Sequence, residues 1–220
     1  MEITLPNSGT TIVPGKILCI GRNYAAHARE LGNEVPDAPI VFLKPSTALV
    51  GKGGRVILPP QTDDVHHEIE LVAVIGRGGK RIAEADALAH VGGYAVGLDM
   101  TARDLQTAAK EKGLPWTVAK GFDTFAPLGD FASAQSVVDP QALALTLRVN
   151  GKVRQQGSTA NMLHTVAALV AYCSTLFTLL PGDLIYTGTP EGVGPVVDGD
   201  VLDAEITGLP LLKVRVRREK

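Results

Sequence analysis

A pair of glutamates that leads into an apolar, β-branched segment constrains the fold of this chain more than any other feature. Residues 66–75 read HHEIELVAVI. Side chains two residues apart on a strand point to the same face, with Cα atoms roughly 6.5 Å apart. Glu68 and Glu70 are therefore predicted to lie side by side at the start of a buried strand. Burying both carboxylates is unfavourable unless a cation neutralises them or one of them is protonated.

A third acid follows a second apolar segment. Residues 94–99 read YAVGLD, and Thr101 and Asp104 then have the spacing of a helix capping box. Asp99 is therefore predicted at a strand-to-helix corner. Three carboxylates at strand ends, with no nearby cysteine, favour Mg²⁺ or Mn²⁺ held by oxygen ligands. Two alternatives remain open: a zinc or iron(II) site that includes His66, and a strand end whose glutamates are solvated.

A histidine and a glutamate share one face of a short helix near the N-terminus. The helix is predicted within residues 21–32, with Asn23 as its N-cap and Gly32 as its C-cap. His27 and Glu30 are three residues apart, so the glutamate can orient the imidazole and raise its basicity. A solvated surface pair is the alternative. The polar, proline-bounded segment after this helix is suited to closing over a ligand.

Two cations are predicted to lie near the acids. Lys120 stands among small residues in an apolar context, so it should be buried and should need an anion from the carboxylate cluster or from a bound acid. Arg103 and Gln106 share one face of a helix predicted over residues 102–112. Lys44, by contrast, is expected to be a solvated lysine on an edge strand.

The remaining pattern predicts a strand-rich chain. Asn150-Gly151 between two strand-like runs predicts a hairpin with a type I′ turn. Residues 162–180 carry no charge, but their apolar stripe and polar interruptions favour a packed amphipathic helix over a membrane span. Strands outnumber helices without alternating with them, so the class is β-rich α+β. The predicted strands cover residues 16–20, 40–45, 56–58, 66–76, 94–98, 143–149, 152–156, 184–187, 201–206 and 211–216.

Composition limits the classes of function. The chain has 220 residues, 45% hydrophobic and 20% charged, which predicts one domain over residues 1–220. A net charge of −2 without a basic run argues against nucleic-acid binding. The glycine-rich residues 188–195 lack the lysine and spacing of a nucleotide P-loop. Cys19 and Cys173 lie in apolar segments, and the N-terminus lacks signal-peptide features, so we expect reduced thiols in a cytoplasmic protein with a small ligand.

Six blocks of residues occur in an order that resembles a known family. The blocks are GRNY at 21–24 with His27 and Glu30, FLKP at 42–45, EIE at 68–70, GLD at 97–99 with Arg103 and Gln106, AKGFD at 119–123, and PGD at 181–183 through TGTP at 187–190. Over residues 16–216 the chain resembles the fumarylacetoacetate hydrolase family, specifically its short members that consist of the catalytic domain alone.

This resemblance implies a β-rich roll of mixed sheets, as in the C-terminal domain of that family, and a homodimer. It also implies site residues: Mg²⁺ or Mn²⁺ held by Glu68, Glu70 and Asp99, Lys120 as the active-site lysine, and the pair His27 and Glu30 on a mobile lid at about residues 22–39. The large animal enzyme that names the family has a domain before its catalytic part, and we expect none in this protein. Fumarylacetoacetate itself is therefore not the expected substrate.

The function predicted from these residues is metal-dependent hydrolysis of a C–C bond in 2,4-dioxo acids, acylpyruvates such as fumarylpyruvate, to pyruvate and a carboxylic acid. A 2-oxo acid can chelate a divalent ion, while Lys120 stabilises the enolate and His27 activates water. The alternatives are an oxaloacetate decarboxylase, an isomerase or decarboxylase of aromatic catabolism such as 2-hydroxyhepta-2,4-diene-1,7-dioate isomerase, and a non-catalytic dicarboxylate-binding protein. The predicted substrate-binding residues are Arg22, Arg103, Gln106 and Thr189.

Overall fold

Strands dominate the secondary structure. The structure, a computed structural model, describes residues 1–6 and 8–219. The strands are β1 (Ile3–Thr4), β2 (Thr11–Ile12), β3 (Ile17–Gly21), β4 (Ile40–Lys44), β5 (Leu49–Gly51), β6 (Arg55–Leu58), β7 (Val65–His67), β8 (Ile69–Ile75), β9 (Val91–Leu98), β10 (Thr101–Ala102), β11 (Ala126–Leu128), β12 (Ala132–Ser133), β13 (Ala144–Val149), β14 (Lys152–Ser158), β15 (Leu184–Tyr186), β16 (Gly194–Pro195), β17 (Val201–Ile206) and β18 (Leu212–Arg218). The α-helices are α1 (Ala25–Glu30), α2 (Arg103–Glu111), α3 (Thr117–Lys120) and α4 (Val166–Leu176). Short 3₁₀ turns cover Ser46–Ala48, Glu84–His90, Ala134–Ser136 and Thr159–Asn161.

The largest sheet places the acid-bearing strand at its centre. Its strand order is β4-β3-β15-β8-β9-β11-β5, and β12 also pairs with β9. Strand β8 runs antiparallel to both of its neighbours, β15 and β9, whereas β15 is parallel to β3 and β11 is parallel to β5. The sheet is therefore mixed. Because β8 is hydrogen-bonded along both edges, the backbone of its residues is held in place by β15 on one side and β9 on the other.

Both faces of β8 are buried, and this decides where the glutamates go. The odd-numbered residues of β8 pack into the larger core cluster, and Val72 and Val74 pack into a second cluster on the opposite face. Glu70 has the parity of Val72 and so continues the face of the second cluster. Glu68 lies one residue before β8 begins, between β7 and β8. The acids therefore stand where a buried strand emerges from its core.

A second, five-stranded sheet has the order β14-β13-β17-β18-β6. The predicted hairpin is confirmed, since β13 and β14 pair antiparallel on either side of Asn150 and Gly151. These two residues have φ angles of +51° and +78°, which are the left-handed conformations that a type I′ turn requires. The hairpin brings β14 against the loop that follows β15, because Gly157 of β14 lies next to Pro190.

The predicted amphipathic helix is confirmed as α4, which is shorter at both ends than the uncharged segment. Its buried stripe packs into the larger core cluster and faces the 3₁₀ turn Glu84–His90. The residues of this stripe are Val166, Leu169, Val170 and Cys173. Among the described residues, no helix is both long enough and apolar enough to cross a membrane.

The predicted N-cap of α1 is wrong. The flanking residue of α1 is Tyr24, and Asn23 is fully buried one residue earlier. The Asn23 amide donates to the carbonyl oxygens of His164 and Thr187, and its oxygen accepts from the His164 backbone N–H. Asn23 therefore ties the start of α1 to two distant loops instead of capping the helix.

The predicted capping box of α2 is also wrong. Helix α2 begins at Arg103, and its flanking residue makes no side-chain cap. Thr101 lies in β10, where its hydroxyl donates to the carbonyl oxygen of Asp99. Asp104 accepts hydrogen bonds from the Thr62 hydroxyl and from the Asp63 backbone N–H. Tertiary partners have replaced the local cap, because both side chains lie at the junction of α2 with the segment before β7.

Candidate active site

Strand register brings the three predicted acids together. Ile69 pairs with Leu98 in the β8–β9 ladder, and the Asp99 backbone N–H donates to the Glu68 carbonyl oxygen at 2.8 Å. One carboxylate oxygen from each of Glu68, Glu70 and Asp99 lies within 4.8 Å of the other two. These side chains belong to residues that are at most 4% exposed. We call this group the acid triad.

Cations surround two members of the acid triad. The Lys120 ammonium lies 2.9 Å from Glu68 Oε2 and 2.6 Å from Asp99 Oδ2. Arg103 Nη2 lies 2.5 Å from Glu68 Oε1, and Lys44 Nζ lies 2.5 Å from Asp99 Oδ1. Since all of these groups are largely buried, the ion pairs are poorly screened by solvent. They hold the carboxylates at fixed positions.

The expectation that Lys44 is solvated is wrong. Lys44 is 3% exposed, and besides its ion pair with Asp99 its ammonium donates to the carbonyl oxygens of Met100 and Phe125 at 2.9 and 2.6 Å. Alternation along β4 puts Lys44 on the same face as Phe42, which packs against the second core cluster. That alternation is the sequence signal that would have placed Lys44 inside.

Glu70 differs from the other two acids. Burial and the neighbouring Asp99 and Glu68 carboxylates raise the pKa of Glu70 well above its usual range. Burial also acts to raise the pKa of Glu68, but Lys120 and Arg103 outweigh it, and this pKa lies well below its usual range. Within the described part of the chain, no lysine or arginine forms an ion pair with Glu70. Its Oε2 accepts a hydrogen bond from the Gly188 backbone N–H at 2.8 Å.

The acid triad fits a divalent cation of the Mg²⁺ or Mn²⁺ type. Its donors are carboxylate oxygens, and among the described residues the group includes no histidine or cysteine. A cation bound at the triad would neutralise the Glu70 carboxylate, whose ionised form is disfavoured by burial and by the carboxylates of Asp99 and Glu68. His66 does not join the group, because the strand is interrupted between β7 and β8. His66 Nε2 instead lies 2.9 Å from Asp64 Oδ1. The structure therefore gives no support to the alternative metal site with His66.

Helix α1 presents His27 to the same pocket. His27 Nδ1 lies 3.3 Å from Glu30 Oε2, and Glu30 Oε1 accepts from the Gly192 backbone N–H at 2.9 Å. An ionised carboxylate has no proton to donate, so Glu30 accepts the hydrogen bond from His27. The Nδ1 atom therefore carries the proton, and Nε2 is left as the base. Burial lowers the pKa of His27 below its ordinary value, although Glu68 and the hydrogen bond with Glu30 oppose this change. The imidazole is therefore neutral at neutral pH.

The two ends of the segment at residues 22–39 are held differently. Its start is anchored through Asn23, and Gly188 packs against this anchor with a φ of +94°. A Cβ atom on Gly188 would lie 2.7 Å from the Cβ of Asn23, so only glycine fits there. From Arg29 onward the segment is mostly exposed. The mobility of this lid remains a prediction, and the anchor identifies Asn23 as the fixed end.

One pocket gathers most of the predicted site residues, which are Arg22, His27, Glu68, Glu70, Asp99, Arg103, Gln106, Lys120 and Thr189. Glu30 does not line this pocket and lies behind His27. Other residues also line the pocket without having been predicted from the sequence, notably Lys110, Trp116, Asn33 and Phe42. The cavity volume is about 30 Å³, which is small for a 2-oxo acid. We therefore expect part of the lining to move when a substrate binds.

The comparisons with known proteins identify the family. A family model described as fumarylacetoacetate (FAA) hydrolase C-terminal matches residues 16–217. The chain belongs to this family. Within it, an oxaloacetate tautomerase of Arabidopsis thaliana, a mitochondrial protein, is 51% identical over 203 residues, which make up 92% of this chain and 91% of the relative.

Solved structures of the fumarylacetoacetate hydrolase family match almost the whole chain. Fumarylpyruvate hydrolase from Pseudomonas aeruginosa, in complex with Mn²⁺ and pyruvate, has a TM-score of 0.94 and 45% identity, covering 100% of this chain and 96% of that one. A 2-hydroxyhepta-2,4-diene-1,7-dioate isomerase from Mycobacterium marinum has a TM-score of 0.84 and 41% identity, covering 96% and 82%. The predicted β-rich fold of mixed sheets is confirmed. The relatives are a hydrolase, a tautomerase and an isomerase.

Gln155 is a buried residue beside the pocket, and the sequence predicted no role for it beyond a place in a hairpin strand. Its side-chain oxygen accepts from the Ile69 backbone N–H at 3.0 Å, and its Nε2 donates to Thr189 Oγ1 at 2.8 Å. Since Thr189 is an acceptor in this bond, its own hydroxyl proton is free to point elsewhere. Thr189 lines the pocket, so Gln155 orients this hydroxyl as a donor to a ligand. No local pattern reveals Gln155, because it comes from the second sheet.

Proposed function

We propose that this chain is a divalent-metal-dependent enzyme that hydrolyses the C3–C4 bond of 2,4-dioxo acids, acylpyruvates such as fumarylpyruvate, to pyruvate and a carboxylic acid. One observation carries the proposal: a neutral, oriented base lies in the same pocket as an acid triad suited to a metal ion. The related fumarylpyruvate hydrolase of known structure, crystallised with Mn²⁺ and pyruvate, supports it.

The two ends of the pocket have different tasks. Glu68, Glu70 and Asp99 would hold Mg²⁺ or Mn²⁺, which when bound draws electron density from the 2-oxo and carboxylate oxygens of the substrate. Lys120, whose pKa is raised because Asp99 and Glu68 outweigh the effect of burial, stays protonated. Its ammonium adds positive charge close to the oxygens on which negative charge develops.

His27 carries the proton transfers of hydrolysis. His27 Nε2 takes a proton from water as the water oxygen adds to C4 of the dioxo acid. The C3–C4 bond then breaks, and its electron pair moves to C3, where the adjacent 2-oxo group delocalises it as an enolate. Glu30 stabilises the imidazolium that forms, and the imidazolium returns its proton to C3 to give pyruvate. The other product is the carboxylic acid derived from C4.

A second candidate function is oxaloacetate tautomerase activity. The observation that favours it is the 51% identity with the Arabidopsis thaliana relative over nine-tenths of both chains. In this reaction a proton moves between C3 and the enol oxygen, so a base is needed but water addition to a second carbonyl is not. His27 would serve as this base. Loss of CO₂ from oxaloacetate would instead give the enolate of pyruvate, as in the hydrolysis, and it needs no base; there a protonated group would only return a proton to C3.

An assay of three substrates tests the proposal. Purified protein, loaded with Mn²⁺ or stripped by a chelator, is given fumarylpyruvate, acetylpyruvate and the enol form of oxaloacetate. We expect metal-dependent release of pyruvate from an acylpyruvate. Conversion of the oxaloacetate enol alone would favour the second candidate. Metal-dependent ligand binding without turnover would contradict both and would indicate a binding protein, since binding has no need of the buried pair of His27 and Glu30.

A further inference from the structure

The cationic side chains that line the pocket form two groups. Arg103 and Lys120 are paired with members of the acid triad. Arg22 and Lys110 line the same pocket, but within the described residues neither forms an ion pair with an acid. Neither charge is therefore neutralised by a directly paired acid, although Glu68 attracts Lys110 from a distance. An unpaired cation in a partly buried pocket is unfavourable unless an anion joins it.

Arg22 is held in place through a neutral group. It lies between β3 and α1 with a φ of +58°, a conformation that is uncommon for residues other than glycine and that is concentrated at functional sites. Its Nη2 donates to Asn33 Oδ1 at 2.7 Å. Because the Asn33 amide carries no charge, this bond fixes the guanidinium across the lid segment and leaves its positive charge available.

Lys110 continues the pocket-facing side of α2. Arg103, Gln106 and Lys110 are spaced at i, i+3 and i+7, which places them on one helical face. The Lys110 ammonium lies 5.5 Å from the centre of the Trp116 ring, which holds it over the pocket without neutralising it. Burial and the nearby charges of Arg22 and Arg103 lower the pKa of Lys110 to about 8. The three cations are thus close enough to repel one another.

We propose that Arg22 and Lys110 form a second anion subsite, which binds the distal carboxylate of a 2-oxo dicarboxylic acid. This inference rests on the proposed function, which assigns the first carboxylate and the 2-oxo group to the acid-triad end of the pocket. Four cationic and three anionic side chains line the pocket, so a divalent ion at the triad would leave a clear excess of positive charge. A dianionic substrate matches this excess better than a monoanionic one.

Matched pairs of 2-oxo acids that cannot be hydrolysed isolate the distal carboxylate. The pairs are 2-oxoglutarate with 2-oxopentanoate, 2-oxoadipate with 2-oxohexanoate, and 2-oxopimelate with 2-oxoheptanoate. Each pair has the same number of carbons and differs only in a terminal carboxylate or methyl group. Calorimetry on the Mn²⁺-loaded protein should show that the dicarboxylic acid of at least one pair binds about ten-fold or more tightly than its partner.

Two variants and a control assign this preference to the subsite. Lys110→Met keeps an apolar stem over Trp116, and Arg22→Gln keeps a polar group that can reach Asn33. Each should reduce the preference for the dicarboxylic acid to within about three-fold while leaving the affinity for the monocarboxylic acid unchanged. Lys112→Met removes an exposed charge at the end of α2 that does not line the pocket, and it should retain the full preference. Thermal melting checks that each variant is folded.

Three results would overturn the subsite. The first is equal affinity within every pair for the parent protein, and the second is an undiminished preference in both pocket variants. The third is an equal loss of affinity for both members of a pair, which would indicate a general disturbance of the pocket. Failure of every 2-oxo acid to bind in a metal-dependent manner is a different outcome, because it would overturn the proposed function and the subsite together.

Discussion

The acid triad and helix α1 contribute to one pocket but are built in opposite ways. The triad lies at the start of β8 and the end of β9, and β8 is paired along both edges. Each residue of the triad is at most 4% exposed. Helix α1 has six residues, of which only His27 and Ala28 are buried, and the segment after it is mostly exposed. One part of the site is fixed by the central sheet, and the other depends on a few contacts at its ends.

This difference indicates that the triad and α1 have separate functions, metal binding and proton transfer. Groups that hold a metal ion need preformed positions, because misplaced ligands lose affinity. A base on a loosely held segment can move away to admit a substrate and return to exclude water. The cavity volume is small, about 30 Å³, so we expect such a movement when a substrate binds. We therefore expect substitutions in the triad to affect metal binding and those in α1 to affect chemistry.

The largest effect should come from Glu70→Gln. This variant removes one predicted ligand, so it should abolish tight Mn²⁺ binding and lower kcat/KM by about 10³-fold or more at a fixed metal concentration. The metal-free variant should be at least as thermally stable as the parent, because the raised pKa of Glu70 shows that the fold disfavours its ionised form. Metal titration and thermal melting provide the two readouts.

Asp99→Asn is the matched comparison for Glu70→Gln. It leaves Lys44 and Lys120 without this acid partner, so it should lower the free energy of unfolding by about 3–5 kcal/mol. Both variants should lose metal affinity, but only Asp99→Asn should lose this much stability. Parent-like Mn²⁺ affinity in Glu70→Gln would remove Glu70 from the metal site.

His27→Ala tests the other half of the comparison. Hydrolysis of an acylpyruvate should fall by about 10²-fold or more, the range for a lost general base, while Mn²⁺ affinity stays at the parent level. Glu30→Gln should act in the same direction with a smaller effect, since it weakens the orientation of the imidazole but leaves the base present. Fixed-time assays of pyruvate release measure hydrolysis, and metal titrations measure the Mn²⁺ affinity. Hydrolysis within a few-fold of the parent would show that His27 is not the base.

The sequence predicted the parts of the site that follow from local periodicity. Spacing along β8 placed Glu68 and Glu70 on one face, and the apolar run before Asp99 placed it at the end of β9. The interruption between β7 and β8 was not predictable from this pattern, because it depends on the pairing of β7 with two other short strands, β10 and β16. For the same reason His66 pairs with Asp64 and does not join the acid triad, so the alternative metal site with His66 has no support.

Groups that arrive from distant segments were missed. Lys44 reaches Asp99 from β4, and Gln155 reaches Thr189 from the second sheet. Lys110 belongs to a helix that was predicted, yet its position at the pocket depends on how α2 packs beside Trp116. The two predicted N-caps failed for a related reason, since tertiary hydrogen bonds competed with local ones. Sequence periodicity describes a residue's own element, whereas these contacts join different elements.

Gln155→Glu should produce a moderate effect on the fixed half of the site. A carboxylate in place of the amide would accept the Thr189 hydroxyl proton and withdraw it from the pocket, so KM should rise about ten-fold with little change in kcat. Gln155→Met removes the amide donor without adding charge and separates this effect from a buried charge. Gln156→Glu, an exposed neighbour on β14, is the control. An unchanged KM in both Gln155 variants would refute the role of Gln155 in orienting Thr189.

The smallest effect concerns pH. Burial lowers the pKa of His27 below its ordinary value of 6.5, so the base stays neutral at lower pH than an exposed histidine. The acid limb of kcat/KM for hydrolysis should therefore lie below pH 6.5, and activity should fall by less than about two-fold between pH 7 and 6.5. A limb centred above pH 6.5 would contradict a buried, neutral His27.

A crystal structure of the complex with Mn²⁺ and oxalate, a mimic of the pyruvate enolate, tests the division between the two halves most directly. The account predicts a single anomalous peak in the pocket, coordinated by oxygens of Glu68, Glu70 and Asp99, with β8 unmoved and any displacement confined to α1 and the segment that follows it. A Mn²⁺ ion bound away from these three carboxylates, or an acid triad that rearranges while α1 keeps its position, would contradict it.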